Sequence, residues 1–312
     1  MNRSWSERII EGVIRLSAGL AIASLILIFI FIGKEAVPLF TSAEARAEAG
    51  MSKLFLGNRE SPDGKRVQVW QPVSEVPKYS LWPLIVGTLK ATLVALLFAF
   101  PLAIAAAIFT SEFAPPGLRE VVKPVIELLA GIPSVVLGFF ALIVTATYFQ
   151  DLFHLDYRLN TWNAGFALGL AVIPIVYTVA EDALTAVPQS FRAGSIALGA
   201  TPWQTARRVV FPAAFPGIFA AGILGFGRAI GETMIVLMAS GNAAILSWNP
   251  GYSFRSLSAT VAAELGEVVN GSPHYHVLFF IGVLLFAFTF LLNLAGQLWV
   301  GRLRRKLTGA RS

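Results

Sequence analysis

An arginine and a glutamate stand one helical turn apart, Arg228 and Glu232, in the stretch GFGRAIGETMIVLM (225–238), where nearly every other residue is apolar. Arginine at the centre of a lone membrane helix costs about 2.5–3.5 kcal/mol on insertion scales, so ionisable groups in such segments mark function by default. Two roles are open to the pair. The planar guanidinium presents a fixed fork of N–H donors that suits bidentate binding of an anion, with Glu232 holding the fork in place and limiting anion trapping. Alternatively the two charges form a structural pair or bond to a neighbouring subunit, although arginine before glutamate at i, i+4 is the weaker order. Helical spacing sets Gly217, Ala221, Gly225, Arg228 and Glu232 on one stripe, and Phe219, Ile223, Phe226, Ile230, Met234 and Leu237 on another. Small residues let a helix or cavity wall approach closely, so the charges are expected to face protein or water. The bulky stripe suits lipid or large neighbours.

A second group of residues precedes this segment in EDALTAVPQSFRAGSIALGATPWQTARRVVFPAAFPG (181–217), which is too polar to span a membrane. Residues 189–198 suit a short helix that Gly199 ends in a left-handed cap. Thr201 then caps a second helix with Pro202 at its first position, and Gln204 completes a capping box. Pro212 and Pro216 are expected to keep that helix separate from the next apolar run. Ala197, Leu198, Gly199, Ala200, Thr201, Pro202 and Trp203 thus form the bend of a helix–glycine–helix hairpin. With Trp203, Val209 and Phe211 beside Arg207 and Arg208, the hairpin suits either docking to another protein or lying on the membrane surface as a basic amphipathic piece.

Covalent chemistry has no visible residues. The phosphate-cradling G-x-x-x-x-G-K-[ST] loop does not occur, and in GFGRAIG the third glycine falls one residue late for a dinucleotide fingerprint. His154, His274 and His276 have no carboxylate at metal-ligand spacing; His274 and His276 read as an interfacial cap, and Glu264 and Glu267 as the wet face of an outside helix. The chain has no cysteine, which excludes disulfides and cysteine-ligated metals. No catalytic residue, metal or resident cofactor is expected.

The elements that must position these groups follow from composition. Of 312 residues, 56% are apolar and 13% charged, against about 25% charged in soluble domains. The apolar residues fall in six blocks near 14–33, 91–110, 124–148, 162–180, 214–240 and 276–300, each about the 20 residues a bilayer requires. The fold class is an all-α integral membrane protein with six transmembrane helices. The net charge of +6 sits largely at block ends and does not point to nucleic acid. The first block is longer than a signal peptide's apolar region and reads as an uncleaved anchor.

Loop arginines and lysines place both termini in the cytoplasm. Arg119, Lys123, Arg192, Arg207, Arg208 and the basic tail then lie inside, while 34–79, rich in both signs, lies outside. Lys90 is expected to snorkel to the outer interface. Pro101, Pro133 and Pro174 fall within blocks and predict kinks. The resulting division is 1–80, an anchor with a polar outside loop; 81–300, a core with the hairpin 189–212; and 301–312, a basic cytoplasmic tail. The polar segment 41–79 suggests no role beyond contact with a delivery protein.

The spacing from Gly199 to Val209, Phe211 and Pro212 resembles the EAA loop of bacterial ABC importer permeases. ELLAGIPSVVLGFF (127–140), ALGATPWQTARRVVFPAAFPGI (197–218) and GRAIGETMIVLMASGN (227–242) are similar to the phosphate-specific branch. GETMIVLM and LGEVVNGSPHYHVLFFIGVLLFAFTFLLN place the likeness with the PstC type. The name-giving triplet differs, reading Ala193-Gly194-Ser195. The resemblance implies the type I ABC importer permease architecture in a bacterial inner membrane. It implies a PstA-type permease partner, two PstB-type ATPase subunits that use the ATP, and an external PstS-type phosphate-binding protein. It also implies that residues 197–203 couple to the ATPase. Other oxyanions (sulfate, molybdate or phosphonate) are the nearest alternative cargo, and an ion-driven secondary transporter the alternative class.

Overall fold

The computed structural model describes residues 5–59 and 66–307; Arg3 and the end of the basic tail, 308–312, lie outside the described residues. The long helix α1 (Trp5–Ala36) leads into short helices α2 (Pro38–Thr41), α3 (Ala43–Ala49) and α4 (Met51–Leu56). Two small antiparallel ribbons follow, β1 (Asn58–Arg59) with β2 (Arg66–Val67) and β3 (Trp70–Gln71) with β4 (Lys78–Tyr79). The remaining helices are α5 (Trp82–Ile108), α6 (Pro116–Leu129), α7 (Ser134–Phe140), α8 (Ala146–Phe153), α9 (Thr161–Thr185), α10 (Gln189–Ala197), α11 (Pro202–Thr205), α12 (Phe211–Gly231), α13 (Met234–Ala239), α14 (Leu257–Glu264) and α15 (Pro273–Leu307). π-helical turns extend α5 through Phe113, join α7 to α8, and join α11 to α12. Among the described residues six helical runs are long and apolar enough to cross a membrane: 9–41, 82–113, 134–153, 161–185, 202–231 and 273–302.

The core is a seam of small side chains. Ala91, Ala95, Ala99, Ala103 and Ala107 recur every fourth residue along α5 and are buried, against a face of α9 that carries Gly165 and Gly169. A Cβ on Gly165 would meet Val94, and one on Gly169 the carbonyl of Ala95 at 3.1 Å. α12 closes on α9 in the same way, Gly225 lying against Val176 and Val172. Helices in lipid gain little from burying apolar surface, so close approach through small residues is what holds such a bundle together.

Several expectations change. The third span begins at Ser134 rather than 124, because α6 is a separate amphipathic helix with no buried residue. Pro133 therefore precedes α7 at its N-cap instead of kinking a span, while Pro101 and Pro174 do lie inside α5 and α9. Pro212 and Pro216 do not separate the hairpin from the fifth span, which runs unbroken over 202–231. The π turn 206–210 absorbs the missing proline donor: Phe211 N–H reaches five residues back to Ala206 O. Lys90 does not snorkel. It is 3% exposed, and its Nζ donates to the carbonyls of Ser247 (3.0 Å) and Asn249 (3.1 Å) on the loop before α14.

The polar segment after α1, expected outside, is not a free tether. Leu39, Leu54, Trp70 and Tyr79 form a second buried cluster with Leu257, Val277, Leu278 and Ile281 of α14 and α15. Glu264 ties that cluster together instead of facing water. It accepts from Trp70 Nε1 (3.2 Å) and Arg255 Nη1 (2.5 Å) and lies 2.9 Å from His274 Nε2. Burial pushes the Glu264 carboxyl up, but the His274 bond, the Arg255 charge and the Trp70 bond outweigh it and hold it below the usual value. Glu267, past the end of α14, is exposed as expected. His274 does have a carboxylate partner, and His276 Nδ1 lies 2.7 Å from the Glu35 carbonyl.

Candidate functional site

The hairpin is built as its sequence requires. Gly199 has φ +84°. Its N–H donates to Ile196 O (2.9 Å), and the Ala200 N–H to Ser195 O (3.2 Å), the paired bonds of a Schellman cap. Thr201 Oγ1 accepts from Gln204 N–H (3.3 Å), while the Gln204 side chain accepts from Thr201 N–H (3.0 Å). Ser195 and Thr205 hydroxyls, 2.9 Å apart, pin one arm to the other. The bend leaves Leu198 91% and Trp203 58% exposed. Both side chains are thus displayed at the tip of a firmly capped bend.

Ion pairs that the sequence reading counted only as topology charges fix this hairpin to the bundle. Arg192 on α10 donates to both carboxylate oxygens of Glu112 (3.1 and 2.7 Å). It also donates to the carbonyls of Val187 (2.5 Å) and Leu184 (2.9 Å). One guanidinium thus joins the end of the α5 run, the end of α9 and the start of α10. Beside it Glu181, with no exposed side-chain surface, pairs with Arg119 and with Lys123 Nζ (2.7 Å) on α6. The bond to Glu181 raises the Lys123 pKa against the opposing effect of burial. The sequence signal was present: two basic residues four apart in 116–129, and an acidic pair closing an apolar block. Nothing local says that they meet.

Arg228 and Glu232 do pair, Nη1 to Oε2 at 3.0 Å. The helix ends between them. α12 stops at Gly231, and Glu232 is extended (φ −69°, ψ 131°) before α13 begins, so the stripe through residue 232 is not one continuous helical face. Gly217, Ala221 and Gly225 are buried, with Gly217 and Gly225 packed on Ala183 and Val176 of α9; they open no cavity. The two charges part company: the Glu232 side chain is 4% exposed and that of Arg228 48%. Ser258 Oγ holds the Glu232 carbonyl at 2.8 Å. Among the described residues Glu232 is the polar partner of Arg228, so the rest of the fork faces outward from the bundle. Lys90 lies elsewhere, bound to loop carbonyls.

Six apolar spans, a capped helix–glycine–helix hairpin and a half-open guanidinium at a helix break suit a subunit of a membrane transporter. The chain belongs to the family of binding-protein-dependent transport system inner membrane components, whose profile matches residues 99–309. It is therefore a multi-pass inner-membrane permease component of an ABC transporter, and the ion-driven alternative is set aside. It is 38% identical over 222 residues to the probable ABC transporter permease protein YqgH of Bacillus subtilis, covering 71% of this chain and 72% of that one. The phosphate transport system permease protein PstC of Mesorhizobium japonicum is 33% identical over 290 residues, 86% and 84% of the two chains. PstC 1 of Mycobacterium tuberculosis is 37% identical over 251 residues, 73% and 74%. The fold matches a chain of the inward-facing MetNI methionine ABC transporter with a TM-score of 0.55 at 19% identity, over 71% of this chain and 96% of that one.

Proposed function

We propose that the chain is the PstC-type permease of an ATP-driven phosphate importer, with both termini in the cytoplasm. It pairs with a PstA-type permease, receives phosphate from an external PstS-type binding protein, and couples to two PstB-type subunits that hydrolyse the ATP. The observation that carries this reading is the divided pair at the end of α12. A buried Glu232 anchors one edge of a guanidinium whose other donors stay open, in a segment that resembles the phosphate-specific permeases. Guanidinium donors match phosphate oxygens bidentately, and the neighbouring carboxylate offsets part of the charge, so the anion is held weakly enough to leave. Closure of the ATPases is passed through residues 197–203 and the Arg192–Glu112 bonds to α5, α9 and α12, switching access between the two sides.

The test is uptake of labelled phosphate by the reconstituted complex, with sulfate, molybdate and phosphonate as competitors. Phosphate alone should compete. Arg228→Gln should abolish uptake while the complex still assembles, and Arg228→Lys should restore little because the fork is lost. Normal transport by both variants would make Arg228 structural. Efficient competition by sulfate or molybdate would assign a different oxyanion.

A further inference from the structure

An apolar groove of about 850 Å³ runs between α5 and α12. Its walls include Phe100, Ile104 and Ile108 on one side and Phe211, Phe215 and Phe226 on the other, and no wall residue is ionisable. Phe215 is 41% exposed, so the groove is open at the side rather than a void in the core. Both walls belong to membrane-spanning runs. The α12 wall is the face opposite its seam with α9: Ala206, Val210, Ala214, Gly217 and Ala221 are buried, while the rings of Phe211 and Phe215 follow one another along the open side and Phe219 closes the row against Trp299 of α15, 4.6 Å away.

That open face continues one turn beyond Phe211 into Arg207 and Arg208. Both are exposed, and neither has a hydrogen bond or ion pair among the described residues. Arg119, Arg192 and Arg228, by contrast, each hold a carboxylate. Helical side chains lean toward the helix N-terminus, which carries these two guanidinium groups out of the apolar zone. From Phe211 to Phe226 the helix rises about 22 Å. That exceeds the roughly 15 Å of hydrocarbon in one leaflet, so an acyl chain starting at Phe211 has apolar wall along its whole length.

We propose that this groove is a binding site for an anionic phospholipid, with an acyl chain along the α5–α12 wall and the headgroup phosphate on Arg207 and Arg208. A free anion has no polar contact inside the groove. A zwitterionic lipid would satisfy the wall but only partly answer two unpaired cations, whereas basic pockets at the ends of spanning helices select acidic headgroups. The site does not depend on which solute the permease carries.

The experiment uses the whole transporter complex in nanodiscs of phosphatidylcholine and phosphatidylglycerol, with a photoactivatable phosphatidylglycerol probe mapped by mass spectrometry. Adducts should fall on α5 and α12 residues of the groove and exceed those of the matching phosphatidylcholine probe. Capture should drop about fivefold for each arginine removed in Arg207→Gln and Arg208→Gln. Ala105→Trp, which closes the groove and leaves both arginines in place, should remove the adducts as well; it decides the matter should the arginine variants fail to assemble. Equal capture of both lipids, adducts mapped elsewhere, or undiminished capture in the variants would overturn the site. Cross-linking of Phe215→Cys to a helix of another subunit would do so too, by showing that protein fills the groove.

Discussion

Replacing Gly199 separates the geometry of the hairpin from its chemistry. The residue sits at φ +84°, and a Cβ built there has nothing within 4 Å. The cost of a side chain is therefore conformational and not steric. A left-handed conformation costs an L-residue roughly 1–2 kcal/mol, with asparagine the best tolerated after glycine. Valine costs more because its branched Cβ crowds the backbone. Both bonds of the cap, Gly199 N–H to Ile196 O and Ala200 N–H to Ser195 O, require that conformation. A chain that escapes the strain must release them and re-aim Leu198 and Trp203. Since about 1.4 kcal/mol is tenfold in a population, Gly199→Asn should stay near wild type and Gly199→Ala should lose several-fold of its docked hairpin. Gly199→Val should lose coupling almost completely while the subunit still inserts and folds. The assay is ATP-dependent uptake by the reconstituted complex, with ATP hydrolysis and assembly measured alongside. Wild-type uptake by Gly199→Val would show that the left-handed turn is dispensable. Equal loss in all three variants would show that a side chain collides with the docking partner, so that backbone strain is not the cause.

The Glu181 cluster predicts an asymmetry. Arg119→Ala with Lys123→Ala strands a carboxylate with no exposed surface, which costs about 3–5 kcal/mol. Glu181→Leu leaves two cations, each about a third exposed, free to hydrate at a cost of about 1 kcal/mol or less. The thermal midpoint of the purified complex should thus fall further in the double variant, and the reverse order would mean that Glu181 reaches water. In the cluster around Trp70 the Glu264 carboxyl is held below its usual value of 4.5. Its contribution is therefore complete above pH 4.5 and is lost as pH falls through the depressed value. Trp70 fluorescence should report that loss in acid, and Glu264→Gln should remove the transition; a transition that survives the substitution would belong to another group.

What could be read without the structure was local. Six spans follow from runs of apolar residues long enough for a bilayer. The hairpin follows from Gly199, Thr201, Pro202 and Gln204, whose partners all lie within a few positions, so propensity and capping decide the outcome. The suspicion attached to Arg228 and Glu232 came from charge in an apolar setting, which is likewise visible in sequence. The rest was set by which faces meet. Lys90 looked like a snorkelling lysine until the 247–249 carbonyls folded over it. Arg119, Lys123 and Arg192 looked like topology charges until helix packing brought them to Glu181 and Glu112, dozens of residues away in the chain. Glu264 looked wet until Trp70, 194 residues distant, donated to it. Even the helix break at Glu232 depends on tertiary support, because a freed backbone carbonyl in an apolar bundle needs a donor. Here that donor is Ser258, brought to it by the packing of α14, which no short-range pattern specifies.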